Sequence, residues 1–399
     1  MAQETLRASI AGADAAAARR KAVTTTGYYN LKLGDAAWRF GAGLGITFTD
    51  NAHLAGTGAG GGSGSGSGGD LIFSPSLITS LLWPISEKNS LNVSVNAGYS
   101  YYTVNNSLSR FFITPGTEIS FDVYVGDFSF NFYDRPSLTQ NAYEDPSVAG
   151  GGDTAQFQNT AGIIGQWELN KASASFGYSH NNHFALGSQT ANNSGSSDTV
   201  SISFGAKVRP EIKAGVELGG GFIENSGTVS SSARQWNAGG FLQYSASTYL
   251  NFRLNGGYTV YSPDQAASAS ASQDQGSTYV DLAVSHIVNK YLSYTLGGGR
   301  GVTLSLVGQP YESYHANLGI NWRVLRNITL NTPFAYTLGT DSYGGGSSFS
   351  QYQIGITLGR ELMKKLSGSL GYNWIMRDSE GDTGDYTVNT VSLNFSYQF

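Results

Sequence analysis

Apolar and polar residues alternate along most of this sequence, in segments of about 10–14 residues that run from Trp38 to the C terminus. Leu250 and Phe252, for example, are separated by Asn251. Successive side chains of a β-strand point to opposite sides, so each segment is typical of a strand with one apolar and one polar face. The chain must therefore cover a large apolar surface, either against a second sheet or against lipid.

The segments number about eighteen and are separated by Gly, Asn, Asp and Ser clusters. They span 38–50, 71–84, 90–103, 110–125, 128–138, 156–168, 172–184, 197–209, 212–223, 233–246, 249–261, 277–287, 291–304, 311–324, 328–338, 348–359, 366–377 and 386–399. Short connections such as Gly126-Asp127 alternate with long ones such as 51–70. Short turns on one side and long loops on the other are typical of outer-membrane barrels, whose short turns are periplasmic.

We therefore expect an all-β fold, a single closed transmembrane antiparallel β-barrel of about 18 strands over residues 38–399, with short periplasmic turns and longer extracellular loops. A soluble β-sandwich is the alternative, but it packs its apolar faces together and would rarely need so many strands with such polar second faces.

Composition excludes several other classes of protein. Charged residues make up only 13% of the chain, against about 25% in an average soluble domain. The absence of Cys excludes a disulfide scaffold and thiolate chemistry. Counts of 23 basic and 28 acidic residues give no nucleic-acid footprint, and no stretch approaches the roughly 18 consecutive apolar residues of a transmembrane helix. Nucleophile elbows and zincin motifs are absent, so we expect no enzymatic activity and no cofactor.

Tryptophan positions provide an independent indication of a membrane barrel, which carries amphipathic aromatics on its outer face at both interfaces. All six tryptophans fall on the apolar parity, that is, among the alternate residues that form the apolar face of a strand, and all lie near strand ends. Four lie next to short turns and two next to long loops, and together they form the expected aromatic girdle: Trp38, Trp83, Trp167, Trp322, Trp236 and Trp374.

Residues on the polar parity would line the lumen, and barrels of about sixteen to eighteen strands are wide enough to leave an aqueous channel. The charged members of this expected pore lining are Arg39, Glu118, Asp122, Arg135, Glu168, Lys207, Arg209, Lys213, Glu217, Arg253, Asp281, Arg323 and Arg377. Basic residues outnumber acidic ones among them. We therefore expect a wide, water-filled pore with a slight preference for anions, unless these charges pair across the wall and cancel.

The last segment ends Val391-x-Leu393-x-Phe395-x-Tyr397-x-Phe399, with Phe399 as the final residue. An alternating strand that closes on Phe resembles the C-terminal signature of bacterial outer-membrane barrels. That resemblance implies that Phe395, Tyr397 and Phe399 are read as an assembly signal by the barrel-assembly machinery.

The first third of the chain also resembles the "β-barrel porin 2" group of Gram-negative outer-membrane proteins. The resemblance rests on Leu31-Lys32-Leu33-Gly34, Gly43-x-Gly45-x-Thr47-x-Thr49-Asp50-Asn51, Phe73-Ser74-Pro75-Ser76-Leu77, Phe111-x-Ile113-x-Pro115-Gly116 and Gly126-Asp127-Phe128-x-Phe130-x-Phe132-x-Asp134-Arg135. It implies an outer-membrane barrel, and some members of the group are associated with exopolysaccharide export.

Residues before the barrel divide into a leader, 1–26, and a connecting segment, 27–37, that enters the barrel. The leader is Ala-rich and lacks a secretory signal, so we interpret Met1 as an added start and Ala2-Gln3 as a mature N terminus. It is either a disordered or helical periplasmic tail or a plug inside the lumen. The segment 28–33 alternates too, but even strand counts favour its exclusion from the wall. The Gly/Ser-rich stretch within 55–70 is typical of a flexible outer loop, either natural or engineered.

Two groups of residues could be interpreted as metal ligands, but the sequence favours polar loops in both cases. Asp378, Glu380, Asp382 and Asp385 could hold Ca²⁺, but they lack ordered EF-hand spacing. His180 and His183 have no third ligand in view. We expect polar loops at both places. The connection 139–155 could fold inward and narrow the pore, or remain a loose surface loop.

The favoured function is a porin-like outer-membrane channel for passive diffusion of small hydrophilic solutes or ions. The alternatives are a barrel of an exopolysaccharide export system and a structural or adhesive barrel with a plugged lumen. Expected partners are outer-membrane lipid and lipopolysaccharide, the barrel-assembly machinery, and small solutes or polysaccharide. Nucleic acid is not expected, and a homo-oligomer remains open.

Overall fold

The computed structural model describes residues 29–54, 68–139, 153, 155–187, 194–226, 231–263, 275–304, 310–341, 348–380 and 384–399. These ranges contain twenty strands and one 3₁₀ turn at Asn106–Leu108. The strands are β1 (Leu31–Leu33), β2 (Ala36–Thr49), β3 (Asp70–Ser86), β4 (Asn89–Tyr102), β5 (Arg110–Ile113), β6 (Glu118–Val125), β7 (Phe128–Thr139), β8 (Gln156–Glu168), β9 (Ala172–Ala185), β10 (Ser194–Arg209), β11 (Ile212–Ser226), β12 (Ser231–Ser245), β13 (Leu250–Pro263), β14 (Gln275–Ile287), β15 (Leu292–Leu304), β16 (Pro310–Leu325), β17 (Ile328–Asp341), β18 (Ser348–Met363), β19 (Leu366–Ser379) and β20 (Tyr386–Gln398).

All of these strands belong to one antiparallel sheet, and pairing of β2 with β20 closes it into a barrel. β5 and β6 follow one another in a single wall position, because both pair with β4 on one side and β7 on the other. β1 pairs only with the first residues of β2. The wall therefore has eighteen positions, which confirms the expected closed 18-strand barrel. Closure leaves no free sheet edge, so that the backbone N–H and C=O groups of the wall are hydrogen-bonded between strands where the wall crosses the lipid.

Strand bounds agree closely with the alternation. The segment 156–168 coincides with β8, whereas β10 and β11 extend beyond the predicted bounds at their outer ends. β3 is 17 residues long, more than the roughly 9–11 residues that a tilted strand needs to cross the bilayer. The extra length lies at the barrel ends, where the surroundings are polar and the alternation weakens.

The predicted strand 110–125 is interrupted between β5 and β6. Pro115 has no N–H for the sheet, and Gly116 takes a φ of +98°, a left-handed value that favours glycine. Thr117 N–H donates to Thr114 O at 3.1 Å and closes a turn. The wall continues past the interruption because β4 and β7 are unbroken.

The outer face of the wall carries exposed apolar side chains. Leu77 is 69% exposed, Val216 58% and Ile202 51%, and all three lie on the apolar parity of their strands. Apolar exposure on this scale is unusual for a soluble protein. It is the lipid-facing belt of a membrane barrel.

The six tryptophans also lie on the outward parity. Trp38, Trp83, Trp167 and Trp322 lie near the short turns, and Trp236 and Trp374 lie in the halves of β12 and β19 that lead to the longer connections. Phe128 stacks on Trp167 with ring centroids 5.3 Å apart. Among the described residues, no helix is long and apolar enough to span a membrane.

A clasp at the periplasmic end joins the two ends of the barrel. Asn30 N–H donates to Trp38 O at 2.8 Å, and Asn30 Oδ1 accepts from Phe40 N–H at 2.5 Å. Asn30 Nδ2 donates to Phe399 O, and Phe399 N–H donates to Phe40 O at 3.1 Å. β1 thereby continues the line of β20 below the C terminus and is not a nineteenth spanning strand. The leader 1–26 and most of the Gly/Ser-rich stretch 55–70 lie outside the described residues.

Candidate channel lumen

The lumen-facing side of the wall is the parity opposite to the apolar belt. Twelve of the expected pore-lining residues lie on this inward parity: Arg39, Glu118, Asp122, Arg135, Glu168, Lys207, Lys213, Glu217, Arg253, Asp281, Arg323 and Arg377. They are spread over ten strands and surround the lumen.

Arg209 is the exception. A β-bulge between Lys207 and Arg209 places Arg209 opposite Ile212, which has the outward parity of Ala214 and Val216. Directly opposed residues share a face of the sheet, so Arg209 points outward at the periplasmic rim. The prediction that Arg209 lines the pore is therefore wrong, because a bulge shifts parity by one residue.

Three cations form one lateral row near the periplasmic end. Lys207 lies directly opposite Lys213, Lys213 opposite Gln243, and Gln243 opposite Arg253. Adjacent strands lie about 4.8 Å apart, so this row concentrates positive charge over β10–β13. Lys207 is exposed and Lys213 is half-buried. A row of this kind attracts anions to one side of the lumen.

Over β13–β17, the wall of the periplasmic half is polar and open. Its inward side chains are exposed amides and hydroxyls from β13–β17: Asn251, Ser285, Thr295, Asn317, Asn321 and Asn331. Such groups hydrogen-bond water and hydrophilic solutes alike.

The inward side of the extracellular half is closely packed. Seven inward-facing aromatic side chains, at mid-height or above, are each less than 9% exposed: Tyr102, Tyr133, Tyr261, Tyr279, Tyr311, Phe349 and Tyr386. Arg377 lies over the Phe349 ring at 4.7 Å and donates to Gly384 O at 2.9 Å. Gln351 Nε2 donates to Tyr386 Oη at 3.2 Å. This buried aromatic lining is not among the residues predicted from the sequence. Its signal is present, since tyrosines such as Tyr261 occupy the polar parity at outer strand ends.

An outer connection enters the barrel mouth at Leu54. Leu54 is 3% exposed and packs with Ile375, Tyr386 and Val388 in an apolar cluster. These three partners lie on the inward parity of β19 and β20, so the cluster is inside the barrel. Leu54 has a φ of +55°, the only positive value among the described non-glycine residues. This strained conformation places Leu54 in the cluster.

A second outer segment, residues 103–109, is held by Asp70. The Asp70 carboxylate accepts from Asn105 N–H at 2.8 Å and Asn105 Nδ2 at 2.9 Å, from Thr103 N–H and Oγ1 at 3.0 Å each, and from Val104 N–H at 3.1 Å. His53 Nε2 lies 2.9 Å from Asn105 Oδ1 and links the two outer segments.

The Asp70 carboxyl lies at the loop end of β3. It is separated from the periplasmic Trp83 by more chain than a strand needs to cross the bilayer, which is about 9–11 residues. Burial disfavours the charged form of Asp70. The hydrogen bonds from the Asn105 and Val104 N–H groups, and then from the side chains of Asn105 and Thr103, outweigh burial and hold the pKa of Asp70 below its ordinary value of 3.8.

Two of the predicted acidic lining residues are bound to the wall. Glu118 pairs with Arg135 Nε at 2.7 Å. Asp122 accepts from Asn92 Nδ2 and Asn131 Nδ2, both at 2.9 Å. Glu118 is thereby paired with a cation, whereas the amides that hold Asp122 are neutral and leave its charge in place. The row of Lys207, Lys213 and Arg253 is a local concentration of like charge near the periplasmic end.

A lumenal pocket lies beside that row. It is a small, open recess of about 80 Å³ on the inner wall, and Phe241, Lys213, Arg253, Glu217 and Gln243 contribute to its lining. Glu217 Oε1 accepts from Tyr279 Oη at 2.8 Å, which fixes one carboxylate of the pocket.

Candidate metal ligands do not converge in the described part of the chain, where no group of three or more His, Asp or Glu side chains could hold a metal ion. Asp385 accepts from Ser379 N–H at 2.7 Å, and His180 Nδ1 lies 2.9 Å from Asp198. Asp382 and most of the connection 139–155 lie outside the described residues.

No protein-family model matches the chain, and no curated protein matches it. Among solved structures, it is similar to Pseudomonas aeruginosa OpdQ, with a TM-score of 0.51 and 9% sequence identity over 92% of this chain and 99% of OpdQ. Acinetobacter baumannii OccAB3 gives a TM-score of 0.48 at 11% identity, over 92% of this chain and 100% of OccAB3. The outer-membrane channel DcaP of Acinetobacter baumannii gives 0.47 at 11% identity, over 93% and 100%. The likeness to OpdQ is one of fold, and the apolar belt is that of a β-barrel embedded in a membrane.

Proposed function

We propose that the protein is a porin-like outer-membrane channel for passive diffusion of small hydrophilic solutes or ions. The observation that carries this proposal is the polar, exposed inward wall that β13–β17 form in the periplasmic half of a closed 18-strand barrel. A wall of amides and hydroxyls lets solutes exchange hydrogen bonds with water as they move. The proposal assigns no enzymatic reaction to the barrel.

The row of Lys207, Lys213 and Arg253 supports a slight anion preference. Charges that line a pore set its ion selectivity, and among the twelve charged residues on the inward parity seven are basic and five are acidic. The excess positive charge therefore acts on one stretch of the permeation path, near the periplasmic end.

We expect that replacing Lys207 and Lys213 together by Gln lowers the anion-to-cation permeability ratio by roughly twofold. Reversal potentials in a salt gradient across a planar bilayer measure this ratio. Arg209→Gln is the matched control, because it removes a neighbouring cation that faces outward. An unchanged ratio in the double variant, or an equal change in the control, would contradict the charge assignment.

The packed extracellular half favours a second candidate, an export barrel whose outer end opens only when its cargo passes. The resemblance of the first third of the chain to the β-barrel porin 2 group supports the same location, and exopolysaccharide export is the activity associated with some members. Bilayer recordings separate the two: steady conductance supports the diffusion channel, and silence that persists in the purified protein supports the gated barrel.

Lipopolysaccharide around the belt and the barrel-assembly machinery are proposed partners. The assembly proposal rests on β20, whose Phe395 and Tyr397 lie on the outward parity, and on the terminal Phe399, which is 50% exposed. Truncation of Phe399 is expected to reduce insertion of the barrel in cells.

A further inference from the structure

Phe241 lies along the lumen wall instead of projecting into the lumen. A Cβ at Gly215, on the adjacent strand β11, would lie 2.5 Å from Phe241 Cζ, and a Cβ at Gly205, on β10, would lie 2.8 Å from the same atom. The three residues occupy one row of opposed positions. The ring therefore reaches from β12 across two strands and rests on bare backbone, so that its other side faces the lumen.

Tyr279 repeats this arrangement one row further from the periplasm. It reaches from β14 across Gly257, where a Cβ would lie 2.7 Å from Tyr279 Cζ, and across Gly239, to donate to Glu217 at 2.8 Å. Tyr279 is buried, whereas Phe241 is only partly covered and lines the lumenal pocket. Phe241 is therefore the accessible aromatic surface of this part of the wall.

Polar groups of both charges surround the Phe241 ring. Lys213 and Arg253 lie one row below it, next to the periplasm, and Glu217 lies one row above. Hydroxyls complete the rim, with Ser175 Oγ and Ser203 Oγ 2.6 Å apart. The pocket thus offers one apolar surface edged by the cationic donors Lys213 and Arg253 and by two carboxylate acceptors, since Glu168 lines it together with Glu217.

This combination selects a class of ligand. A simple anion would meet Glu217, and an apolar molecule would leave the charged rim unsatisfied. A pyranose has an apolar face of C–H groups and a rim of hydroxyls, each of which donates and accepts hydrogen bonds. Its face fits the ring, and its rim fits carboxylate, amide, ammonium and guanidinium groups together.

We propose that the pocket around Phe241 is a binding site for a neutral saccharide on the permeation path. This inference rests on the proposed channel function, because the site names the solute class that the channel takes up. The ring supplies the stacking surface, Glu217 accepts from sugar hydroxyls, and Lys213 and Arg253 donate to them.

The first test is current block by maltose in single-channel recordings, with glycerol as a probe that cannot stack. In the wild-type protein, maltose is expected to interrupt the current in a concentration-dependent way. Phe241→Ala should weaken this block by about tenfold. Phe112→Ala is the matched control, since Phe112 also faces inward against a glycine, Gly98, where a Cβ would lie 2.6 Å from its Cζ, but it is remote from the cation row.

A second measurement does not depend on conduction. Phe241→Trp keeps an aromatic surface and should report maltose through a change in fluorescence in detergent micelles. A fluorescence response without conductance would support the saccharide site and contradict the proposed channel function. Conductance with neither current block nor a fluorescence response would contradict the saccharide site and support the proposed channel function. Equal loss of block in Phe112→Ala, or block by gluconate but not by maltose, would also overturn the site.

Discussion

Asp70 stabilises the outer mouth of the barrel because five donors converge on one carboxylate. Asp70→Asn replaces an acceptor-only group by an amide and removes the charge. A hydrogen bond to a charged group contributes about 1.5–3 kcal/mol, so amide exchange at Thr103, Val104 and Asn105 is expected to accelerate by about ten- to a hundredfold. Hydrogen-exchange mass spectrometry measures this. Asp50→Asn, whose residue accepts two bonds from Asn389, is the control and should leave this segment unchanged.

The same carboxyl predicts a pH dependence. Its pKa is below 3.8 in the folded protein, so Asp70 contributes stability that is fully present above the unfolded-state pKa and is lost as pH falls through the folded-state pKa. Relative to the intrinsic exchange rate at each pH, the amides of the segment 103–109 should therefore stay protected at neutral pH. Their protection should fall to that of Asp70→Asn only below pH 3.8. Loss of this protection that begins near pH 6 as the pH is lowered would contradict this assignment.

Single residues also mark the limits of prediction from the sequence. Alternation correctly assigns Lys207 to the inward parity but not Arg209, because nothing in the residue pattern shows that a bulge lies between them. Parity likewise gives the face of a residue but not its depth of burial. Tyr386 and Val388 face inward, as alternation predicts, yet each is at most 1% exposed, since Leu54 from a distant segment packs on them.

Individual strands were predictable because lipid on one side and water on the other impose a period of two over their whole length. The interruption between β5 and β6 carried a signal as well, the Pro115-Gly116 pair, which is a strong turn marker. Alternation continued on both sides of it and hid the break. The segment 28–33, which contains β1, alternates as well, but alternation does not show how long a strand is or which partner it has. The short length of β1 follows from its pairing with only three residues of β2.

The clasp between β1 and the C terminus is expected to stabilise the closed seam of β2 and β20. Asn30 is the one side chain in it that bonds both Phe40 and Phe399. Asn30→Ala removes both bonds, and at about 1 kcal/mol each should lower the temperature at which the folded barrel unfolds in detergent. Lys32→Ala, on β1 but outside the clasp, is the control. Equal unfolding temperatures for Asn30→Ala and the wild type would show that the seam holds without the clasp.

At the scale of the whole molecule, the two halves of the lumen differ in chemistry and divide the permeation path. Over β13–β17 the periplasmic half presents amide and hydroxyl groups to water, whereas the extracellular half carries buried aromatic side chains and residues of two outer connections. Resistance along a pore adds in series, so we expect the half that the outer connections enter to limit the total conductance. Selectivity for charge and for solute can still arise in the open half, where Lys213 and Phe241 lie.

Disruption of the packed half should therefore raise conductance without changing the barrel. Leu54→Asp places a charge in the cluster of Leu54, Ile375, Tyr386 and Val388, where burial of an unpaired carboxylate is costly. Asp tolerates the left-handed conformation of residue 54 better than Leu, so the backbone gains no strain and the side chain leaves the cluster. Single-channel recordings should show a larger unit conductance than in the wild type, with the anion preference retained because Lys207, Lys213 and Arg253 are untouched.

Leu54→Met keeps the apolar contact and should behave as the wild type. If Leu54→Asp folds as a barrel and conducts no better, the constriction lies elsewhere along the lumen, and the inward-facing aromatics between β13 and β18 become the segment that limits flow.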